Sequence, residues 1–372
     1  MVLMHDTDAA TPAAAGFRMP AEWTPHDGCW MLWPERPDNW RGGAAPGRRA
    51  FAAVAAAIAE AEPVRVGAST TAYASARAAL PPQVDVVELT ADDSWMRDVG
   101  PTFVRDEAGR LAGIDWRFNA WGGMYAEHEF DDAVAAKVLE VERAEGWRCP
   151  LVMEGGAVHT DGEGTLLTTE SVLLDPNRNP GIDRAAAERS LCDHLGAARV
   201  IWLPEGVPED ETNGHVDNLC CFIRPAEVLL TWTDDPADPL HPVCRAAEDI
   251  LRRTRDAAGR TIAVHRIPQP GPLYREEAET TDLAPGPAGD RPMVRPAGSR
   301  LAASYVNFYF GNGLVVMPFL DPGLDPVARR VLQDLLPRHR IVGLPSREIL
   351  LGGGNIHCIT QQVPARGPHP FS

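Results

Sequence analysis

The stretch "TNGHVDNLCCFIRPAEVLLTW" (residues 212–232) contains the pattern that decides the fold. A polar, glycine-containing cluster comes first, and a short apolar run of strand type follows it. The tetrapeptide "RPAE" then supplies turn-forming residues, and a second strand-type run completes the stretch. Two apolar runs joined by such a turn are typical of a β-hairpin. We therefore predict a hairpin that begins with polar side chains.

The same order recurs along the chain, with one helix-like stretch between one hairpin and the next. The other hairpin segments are residues 92–118, 153–174, 303–320 and 352–364. The helix-like stretches are residues 46–61, 130–145, 182–195, 242–257 and 325–336. The last hairpin lacks its second strand, which we expect "DGCWMLWP" (27–34) to supply. These repeats predict an α/β fold of five units around an axis, with the polar clusters converging on one site.

Length and composition predict one globular domain spanning residues 1–372. With 44 % apolar residues and ten tryptophans, the chain can build a large core. Residues 1–15 have no basic or apolar region of the kind a signal peptide needs, so we expect a short extension there. The proline- and glycine-rich segment 282–300 predicts a mobile surface loop.

Charge, hydropathy and cysteine count narrow the class of protein. The charged side chains sum to 35 − 52 = −17, which disfavours nucleic acid and anionic membranes as partners and favours a small cationic ligand. No stretch is long and apolar enough to span a bilayer. Seven cysteines without CxxC spacing argue against a disulfide framework or a structural zinc module. These features predict reduced thiols and a cytoplasmic protein.

The polar clusters supply the side chains that can carry chemistry: Asp98, Glu154, His215 with Asp217, and Cys358. His215 and Asp217 are two apart on a strand-type run, so we expect them to share a face. That pair is compatible with half of a metal site, or with a hydrogen bond that ties down a strand. Cys358, which ends "LGGGNIHC" (351–358), is compatible with a small buried hydrophobe or with a nucleophile.

A cysteine, a histidine and three carboxylates in one pocket favour chemistry on a delocalised cation. A cysteine attacks as its thiolate, while a histidine can protonate a leaving amine and then activate water. A Cys–His protease needs at most one orienting carboxylate, so the additional acids require another explanation. A guanidinium is a planar fork of N–H donors that pairs with carboxylates. We therefore predict attack on a guanidinium carbon.

Five stretches of the sequence also resemble one known family. They are "DDSWMRDVGPTFV" (92–104), "MEGGAVHTDGEGTLLTTESVLLDPNRNP" (153–180), "IWLPEGVPEDETNGHVDNLCCF" (201–222), "SYVNFYFGNG" (304–313) and "LGGGNIHCITQQ" (351–362). In these stretches the chain resembles the agmatine deiminases, guanidine-modifying enzymes of the pentein superfamily. The resemblance, which runs from residue 16 to the C-terminus, implies a five-bladed pseudo-symmetric αβ propeller. It also implies that agmatine and water give N-carbamoylputrescine and ammonia without a cofactor, and we expect no metal.

The resemblance implies a role for each clustered side chain. Cys358 corresponds to the nucleophile, which would form a covalent amidino-thioether, and His215 corresponds to the general acid and base. Glu154 corresponds to the acid that binds the imidazole of His215. Asp98 and Asp217 correspond to the pair of carboxylates that grips the guanidinium.

The resemblance also implies how the rest of the substrate and the assembly are arranged. Trp95 corresponds to an aromatic wall beside the guanidinium. Glu211 is the acid that would meet the far ammonium of agmatine. The assembly implied is a homodimer.

Three other functions are compatible with these residues. A deiminase could act on arginine, a methylated arginine or an ω-guanidino acid, and such a substrate needs an arginine or backbone donors at its far end. Beside the motifs, Arg97 is the candidate for that arginine, although a structural ion pair is its preferred role. An amidinotransferase would pass the amidino group to an amine, and a guanidine-binding module would perform no chemistry.

Overall fold

The protein is described by a computed structural model over residues 4–5, 10–284 and 295–371. In this part of the chain the strands form five separate sheets of three or four strands. In every sheet, the first strand is antiparallel to the second, and a helix then leads into a third strand parallel to the second. Each sheet with its helix is one unit, and we number the units one to five from residue 102 onward.

The units are built from similar elements. In order, their strands are Thr102–Arg105, Leu111–Arg117 and Glu145–Val152; Val158–Thr160, Thr165–Thr169 and Arg199–Leu203; Cys220–Arg224, Glu227–Trp232 and Ala263–Pro268; Tyr309–Gly311, Leu314–Phe319 and Arg340–Pro345; and Gln361–Pro364, His26–Leu32 and Val64–Ala68. Their helices, in the same order, are Val134–Glu142, Arg184–Leu195, Leu240–Arg253, Asp325–Leu335 and Ala45–Ile58.

Smaller elements complete the chain. Strand Met4–His5 extends the first sheet, and helix Tyr73–Ala79 leads to strand Asp85–Glu88 at the edge of the fifth. Short helical turns cover Gly42–Ala44, Met96–Val99, Ala120–Gly123, Glu129–Asp132, Gly155–Ala157, Glu170–Leu173, Val216–Leu219, Glu277–Glu279 and Arg347–Leu351.

The predicted hairpins and helices are confirmed, with some shifts at their ends. The helix predicted over 130–145 is the shortest of the five, because Glu129–Asp132 forms a separate turn and Arg143 adopts a left-handed φ of 54°. In the second unit, the side chain of Asp183 caps the helix by accepting a hydrogen bond from the Ala186 amide. Gly196, at a φ of 66°, ends the same helix.

The fifth unit joins the two ends of the chain, as the sequence predicts. Its first strand, Gln361–Pro364, is antiparallel to His26–Leu32, with Gln361 opposite Trp30. The N-terminal strand therefore completes the hairpin that the C-terminal segment begins.

The five units form a closed ring. The helices of the second to fifth units each pack against the third strand of the unit before them, while the first strand of the fifth unit packs against Thr102–Arg105 of the first. Apolar side chains fill the space between the sheets and the helices, among them Trp30, Phe51, Tyr305 and Phe310. The predicted five-bladed αβ propeller is thereby confirmed.

One local prediction is wrong. His215 and Asp217 do not lie on a strand, because Val216–Leu219 forms a single helical turn and the strand begins at Cys220. The loop favours this turn because the Thr212 hydroxyl accepts a hydrogen bond from the His215 amide at 3.2 Å. Both side chains nevertheless point toward the same glycine, Gly156.

Three predictions about organisation stay predictions. A single domain over residues 1–372 is one of them. For the extension at 1–15, Met4–His5 pairs with Gly146 and Trp147, while residues 1–3 and 6–9 lie outside the described residues. The mobile loop predicted at 282–300 falls partly outside them too, at 285–294.

No helix in the described part of the chain is long and apolar enough to cross a membrane.

Candidate active site

The polar starts of the units meet in one buried pocket. All seven side chains singled out in the sequence lie in it or directly behind it: Trp95, Asp98, Glu154, Glu211, His215, Asp217 and Cys358. Six of them are more than nine-tenths buried, and Glu211 is partly exposed. The fold thus brings together residues that are as much as 263 positions apart (358 − 95 = 263).

His215 is held by Glu154, which is itself held by an arginine. His215 Nε2 lies 3.3 Å from Glu154 Oε2, and Arg178 Nε donates to Glu154 Oε1 at 2.9 Å. Burial works against the ionised form of Glu154, yet Arg178 and His215 lower its pKa to about 2. Burial also opposes protonation of His215, but the surrounding carboxylates, Asp98 first, raise its pKa to about 9. At neutral pH this site therefore holds an imidazolium beside a carboxylate.

Asp98 is fixed by two N–H donors. Its Oδ1 accepts from the Gly156 amide at 3.0 Å, and its Oδ2 accepts from the indole of Trp121 at 3.0 Å. Burial raises the pKa of Asp98 to about 6, against the lowering effect of His215. Oδ1 also lies 3.8 Å from His215 Nδ1. The carboxylate is therefore oriented and ionised above mildly acidic pH.

Asp217 presents its two oxygens differently. Oδ2 accepts a hydrogen bond from His357 Nδ1 at 2.9 Å and lies 3.7 Å from Cys358 Sγ. Oδ1 is buried and, among the described residues, has no hydrogen-bond partner; the same holds for Nδ1 of His215. Although burial acts in the opposite direction, His357 lowers the pKa of Asp217. Buried polar atoms without partners are costly, so these two atoms are suited to meet a polar ligand.

Cys358 lies against Asn307, the residue that the fourth unit contributes. Asn307 Nδ2 lies 3.2 Å from Cys358 Sγ, and its Oδ1 accepts from the His357 amide at 3.0 Å. Burial, with Asp217 and Asp98, raises the pKa of Cys358 well above its ordinary value. Without a bound cation, Cys358 is therefore a thiol at neutral pH.

Two tryptophans form walls of the pocket. Trp95 donates its indole N–H to Asp93 Oδ2 at 2.9 Å, and Asp93 also accepts from Trp40 at 2.8 Å. Trp121 is held with a left-handed φ of 52°, which a bulky residue rarely adopts. That conformation places its indole on Asp98. Flat aromatic faces beside carboxylates suit a flat cation.

The far end of the pocket contains an arginine that sequence reasoning missed. Arg295 Nε donates to Glu211 Oε1 at 2.6 Å, and the second guanidinium nitrogen, Nη2, pairs with Oε2 of the same carboxylate. Arg295 also contacts Asn39 Oδ1 and donates to the Gly352 carbonyl at 2.8 Å. Arg97, the candidate weighed from the sequence, instead forms a buried ion pair with Glu22 at 3.3 Å.

Glycines leave the space in which these groups meet. A Cβ on Gly156 would lie 2.6 Å from His215 Nδ1 and 2.9 Å from both Asp98 Oδ1 and Asp217 Oδ2. A Cβ on Gly354 would lie 2.6 Å from the ring of Trp95 and 3.1 Å from the sulfur of Cys358. Real side chains do not approach so closely, so both positions need glycine.

We expect Gly156→Ala to lower turnover at this site by on the order of 100-fold and to cost about 1–3 kcal/mol of stability, because the added methyl group meets buried side chains. The φ of Gly156 lies outside the left-handed region, so the backbone accepts alanine, and the added methyl group displaces three functional side chains. A displacement of about 1 Å costs on the order of 100-fold in rate. Gly323→Ala is the matched control, because its Cβ would meet only Asp321 Oδ1, at 3.3 Å. Equal activity of the two variants would contradict this account of the glycine.

Chemically, the site places a sulfur nucleophile beside an imidazolium and two carboxylates. That combination can add a thiolate to an electron-poor carbon and pass a proton to a leaving group. His215 and Asp217 are not in the group of described side chains whose spacing could hold a metal ion. The three side chains in that group are Glu22, His159 and His357.

Known proteins share this sequence over almost its full length. The family model of the Porphyromonas-type peptidyl-arginine deiminases matches residues 18–364. An agmatine deiminase of Stutzerimonas stutzeri is 54 % identical over 365 residues, which are 96 % of this chain and 98 % of that protein. An agmatine deiminase of Pseudomonas aeruginosa is 54 % identical over 364 residues, with the same coverage of 96 % and 98 %.

A solved structure agrees with these relatives. The agmatine deiminase of Enterococcus faecalis, described as catalysing its reaction, superposes with a TM-score of 0.92 at 41 % identity. The superposition covers 97 % of this chain and 99 % of that one. The chain therefore belongs, together with these agmatine deiminases, to the Porphyromonas-type peptidyl-arginine deiminase family.

Proposed function

We propose that this protein converts agmatine and water into N-carbamoylputrescine and ammonia. The observation that carries the proposal is a buried cysteine, Cys358, beside two carboxylates, Asp98 and Asp217, that have no arginine within salt-bridge distance in the described residues. A guanidinium supplies N–H donors to these carboxylates and the positive charge that balances a Cys358 thiolate. The relatives that are 54 % identical to this chain are named agmatine deiminases, which favours agmatine as the molecule that contains this guanidinium.

In the proposed complex, the guanidinium lies between the tryptophan walls with its edges toward the two carboxylates. Trp95 and Trp121 provide the aromatic faces. Asp217 Oδ1, which is buried and has no hydrogen-bond partner in the described residues, is the acceptor that we assign to the guanidinium. The cation also offsets the negative charge that keeps the Cys358 thiol protonated. Substrate binding therefore favours release of the thiol proton to solvent, which leaves the thiolate below the guanidinium carbon.

The first chemical step forms a covalent intermediate. The thiolate of Cys358 adds to the guanidinium carbon, and a carbon–sulfur bond forms. His215, protonated at neutral pH, gives its proton to one terminal nitrogen, and the carbon–nitrogen bond breaks to release ammonia. An amidino-thioether on Cys358 remains, and His215 is now neutral. Glu154 holds the imidazole in place during this transfer.

The second step hydrolyses that intermediate. Neutral His215 takes a proton from water, and the hydroxide adds to the same carbon. The carbon–sulfur bond then breaks and the added hydroxyl group gives its proton to solvent, which releases N-carbamoylputrescine and restores the Cys358 thiolate. Two additions with a good leaving group replace one difficult attack of water on a stable cation.

At the far end, Glu211 is the proposed partner of the ammonium of agmatine. Arg295 already pairs with Glu211 and fixes its orientation, so the ammonium shares an oriented carboxylate. The partner we propose is thus a small organic cation. The homodimer, the cytoplasmic location and the absence of a cofactor stay predictions.

A substrate panel tests this function. We expect kcat/KM for agmatine to exceed that for L-arginine and for 4-guanidinobutyrate by on the order of 100-fold, because both alternatives bring a carboxylate toward Glu211. Ammonia release is the measurement, and Cys358→Ser is the control for non-enzymatic release.

A preference for 4-guanidinobutyrate would contradict the proposal and make Arg295 the anchor of an acid. Amidino transfer to an added amine, without formation of N-carbamoylputrescine, would identify a transferase instead.

The pH dependence of catalysis follows from the two groups whose pKa values are shifted, Asp98 and His215. Asp98 has to be ionised to bind the cation, so kcat/KM falls as the pH decreases through about 6. His215 has to be protonated to expel ammonia, so kcat, measured with the cation bound and Cys358 present as its thiolate, falls as the pH increases through about 9. A kcat that still rises above pH 10 would contradict this account.

Trp121→Phe offers a sharper version of this test. The variant removes a hydrogen bond to the ionised form of Asp98, so the acid limb moves to higher pH by about one unit. Trp116→Phe is the matched control, because that indole donates to the Thr102 hydroxyl at 2.9 Å. We expect the control to keep the acid limb of the wild type.

A further inference from the structure

A buried chain of acids and a histidine lies behind Asp217, on the side away from the substrate pocket. His357, which precedes Cys358, places Nδ1 2.9 Å from Asp217 Oδ2 and Nε2 2.9 Å from Glu22 Oε1. Glu22 is 2 % exposed and His357 is 3 % exposed. Glu22 belongs to the segment that leads into the N-terminal strand. These hydrogen bonds therefore connect that segment to Asp217 and to the neighbouring nucleophile.

The geometry fixes the protonation state of His357. An ionised carboxylate can only accept hydrogen bonds, and a neutral imidazole has a single N–H to donate. Both ring nitrogens of His357 face carboxylates at hydrogen-bond distance. With both carboxylates ionised, this arrangement requires a proton on each ring nitrogen, which makes the ring an imidazolium.

The charges around the ring agree with this state. Among the described residues, the titratable and charged groups around the ring are Glu22, Asp217, Arg97, His159, Cys221 and the adjacent Cys358. Burial and Arg97 act against protonation, but Glu22 and Asp217 outweigh them and raise the pKa of His357 above its ordinary value. Arg97 and His159 also contact Glu22, at 3.3 and 3.5 Å, which keeps that acid ionised.

We propose that His357, held as an imidazolium by Glu22, is a positioning residue that supplies a fixed positive charge to the catalytic site. It occupies one oxygen of Asp217, which leaves the other oxygen for the guanidinium. It also offsets the charge of Asp217, which at 3.7 Å from Cys358 Sγ otherwise opposes the thiolate. This inference rests on the proposed function and adds Glu22 and His357 to the groups that support it.

The same side chains raise a second interpretation, which the test has to exclude. Glu22, His159 and His357 lie close enough together to hold a metal ion. The hydrogen bonds between them already use the atoms that would be ligands, and Arg97 would place a cation beside the metal. We therefore favour the imidazolium and treat bound metal as an outcome that would overturn it.

The direct experiment is ¹⁵N NMR of the histidine side chains in the wild-type protein, with His357 assigned by the signal lost in His357→Gln. We expect both ring nitrogens of His357 to be protonated at pH 7. A neutral ring at pH 7 would overturn the proposal. This measurement needs no substrate, so it can fail while agmatine deimination holds, and the reverse is also true.

Kinetics of Glu22→Gln provide the second test. Without the carboxylate, and with Arg97 left unpaired, the pKa of His357 falls and the imidazolium is lost as the pH rises. We expect kcat to fall about 10-fold above pH 8 with KM unchanged or lower, and a smaller loss at pH 6. Glu22→Asp keeps the charge, so it should restore most of kcat at high pH.

Glu142→Gln is the matched control, since Glu142 is a buried carboxylate that accepts from Trp30 at 2.8 Å and from Arg65 at 2.7 Å. We expect this variant to lower thermal stability and to keep the wild-type pH profile. If Glu22→Gln lowers kcat equally at every pH, or mainly raises KM, Glu22 has only a structural role. One equivalent of metal in the wild type that is absent from Glu22→Gln would also overturn the proposal.

Discussion

Two buried carboxylates, Asp98 and Asp217, face each other across Gly156, and their burial without a paired arginine is the constraint on which the site depends. Burying a carboxylate is expensive unless a cation or several donors meet it. The acids behind the pocket satisfy this requirement with arginines, Glu154 with Arg178 and Glu22 with Arg97. Asp98 and Asp217 receive N–H donors and histidines instead. The cavity between them therefore has room for a further N–H donor, and in the proposed complex a guanidinium fills it and balances the charge of the Cys358 thiolate.

The ring of five units explains how such a site can be assembled. Each unit places the polar start of its first strand at the centre, and each contributes a different group: Asp98, Glu154, His215 with Asp217, Asn307 and Cys358. Because the fifth unit is completed by the N-terminal strand, the chain ends are fixed next to the nucleophile. The sheets hold these side chains in fixed positions, and the glycines between them leave room for a ligand.

Much of this arrangement is predictable from the sequence because the repeat is local. A polar cluster, two strand-type runs and a turn fit within about twenty residues, so the five units and the convergence of Asp98, Glu154, His215, Asp217 and Cys358 follow from pattern alone. The strand predicted for His215 and Asp217 is wrong because side chains of the preceding loop stabilise a helical turn there. Such loop contacts leave no periodic signal.

The residues that sequence reasoning missed depend on contacts between distant segments. Asn307 has no ionisable group to draw attention, although it stands at the polar start of the fourth hairpin. Trp121 lies between two predicted elements, and its role depends on an unusual backbone conformation. Arg295 belongs to a segment without a motif, and its pairing with Glu211 joins residues 84 apart in the chain. Only the packed ring places these groups beside the pocket.

The central claim is that Cys358 becomes covalently bound to the amidino carbon of agmatine. Mass spectrometry of enzyme quenched in acid during turnover tests it most directly. The account predicts a mass increase equal to agmatine minus ammonia, located on the peptide that contains Cys358 and absent from Cys358→Ser. Turnover without any adduct, or an adduct on another of the seven cysteines, would contradict it.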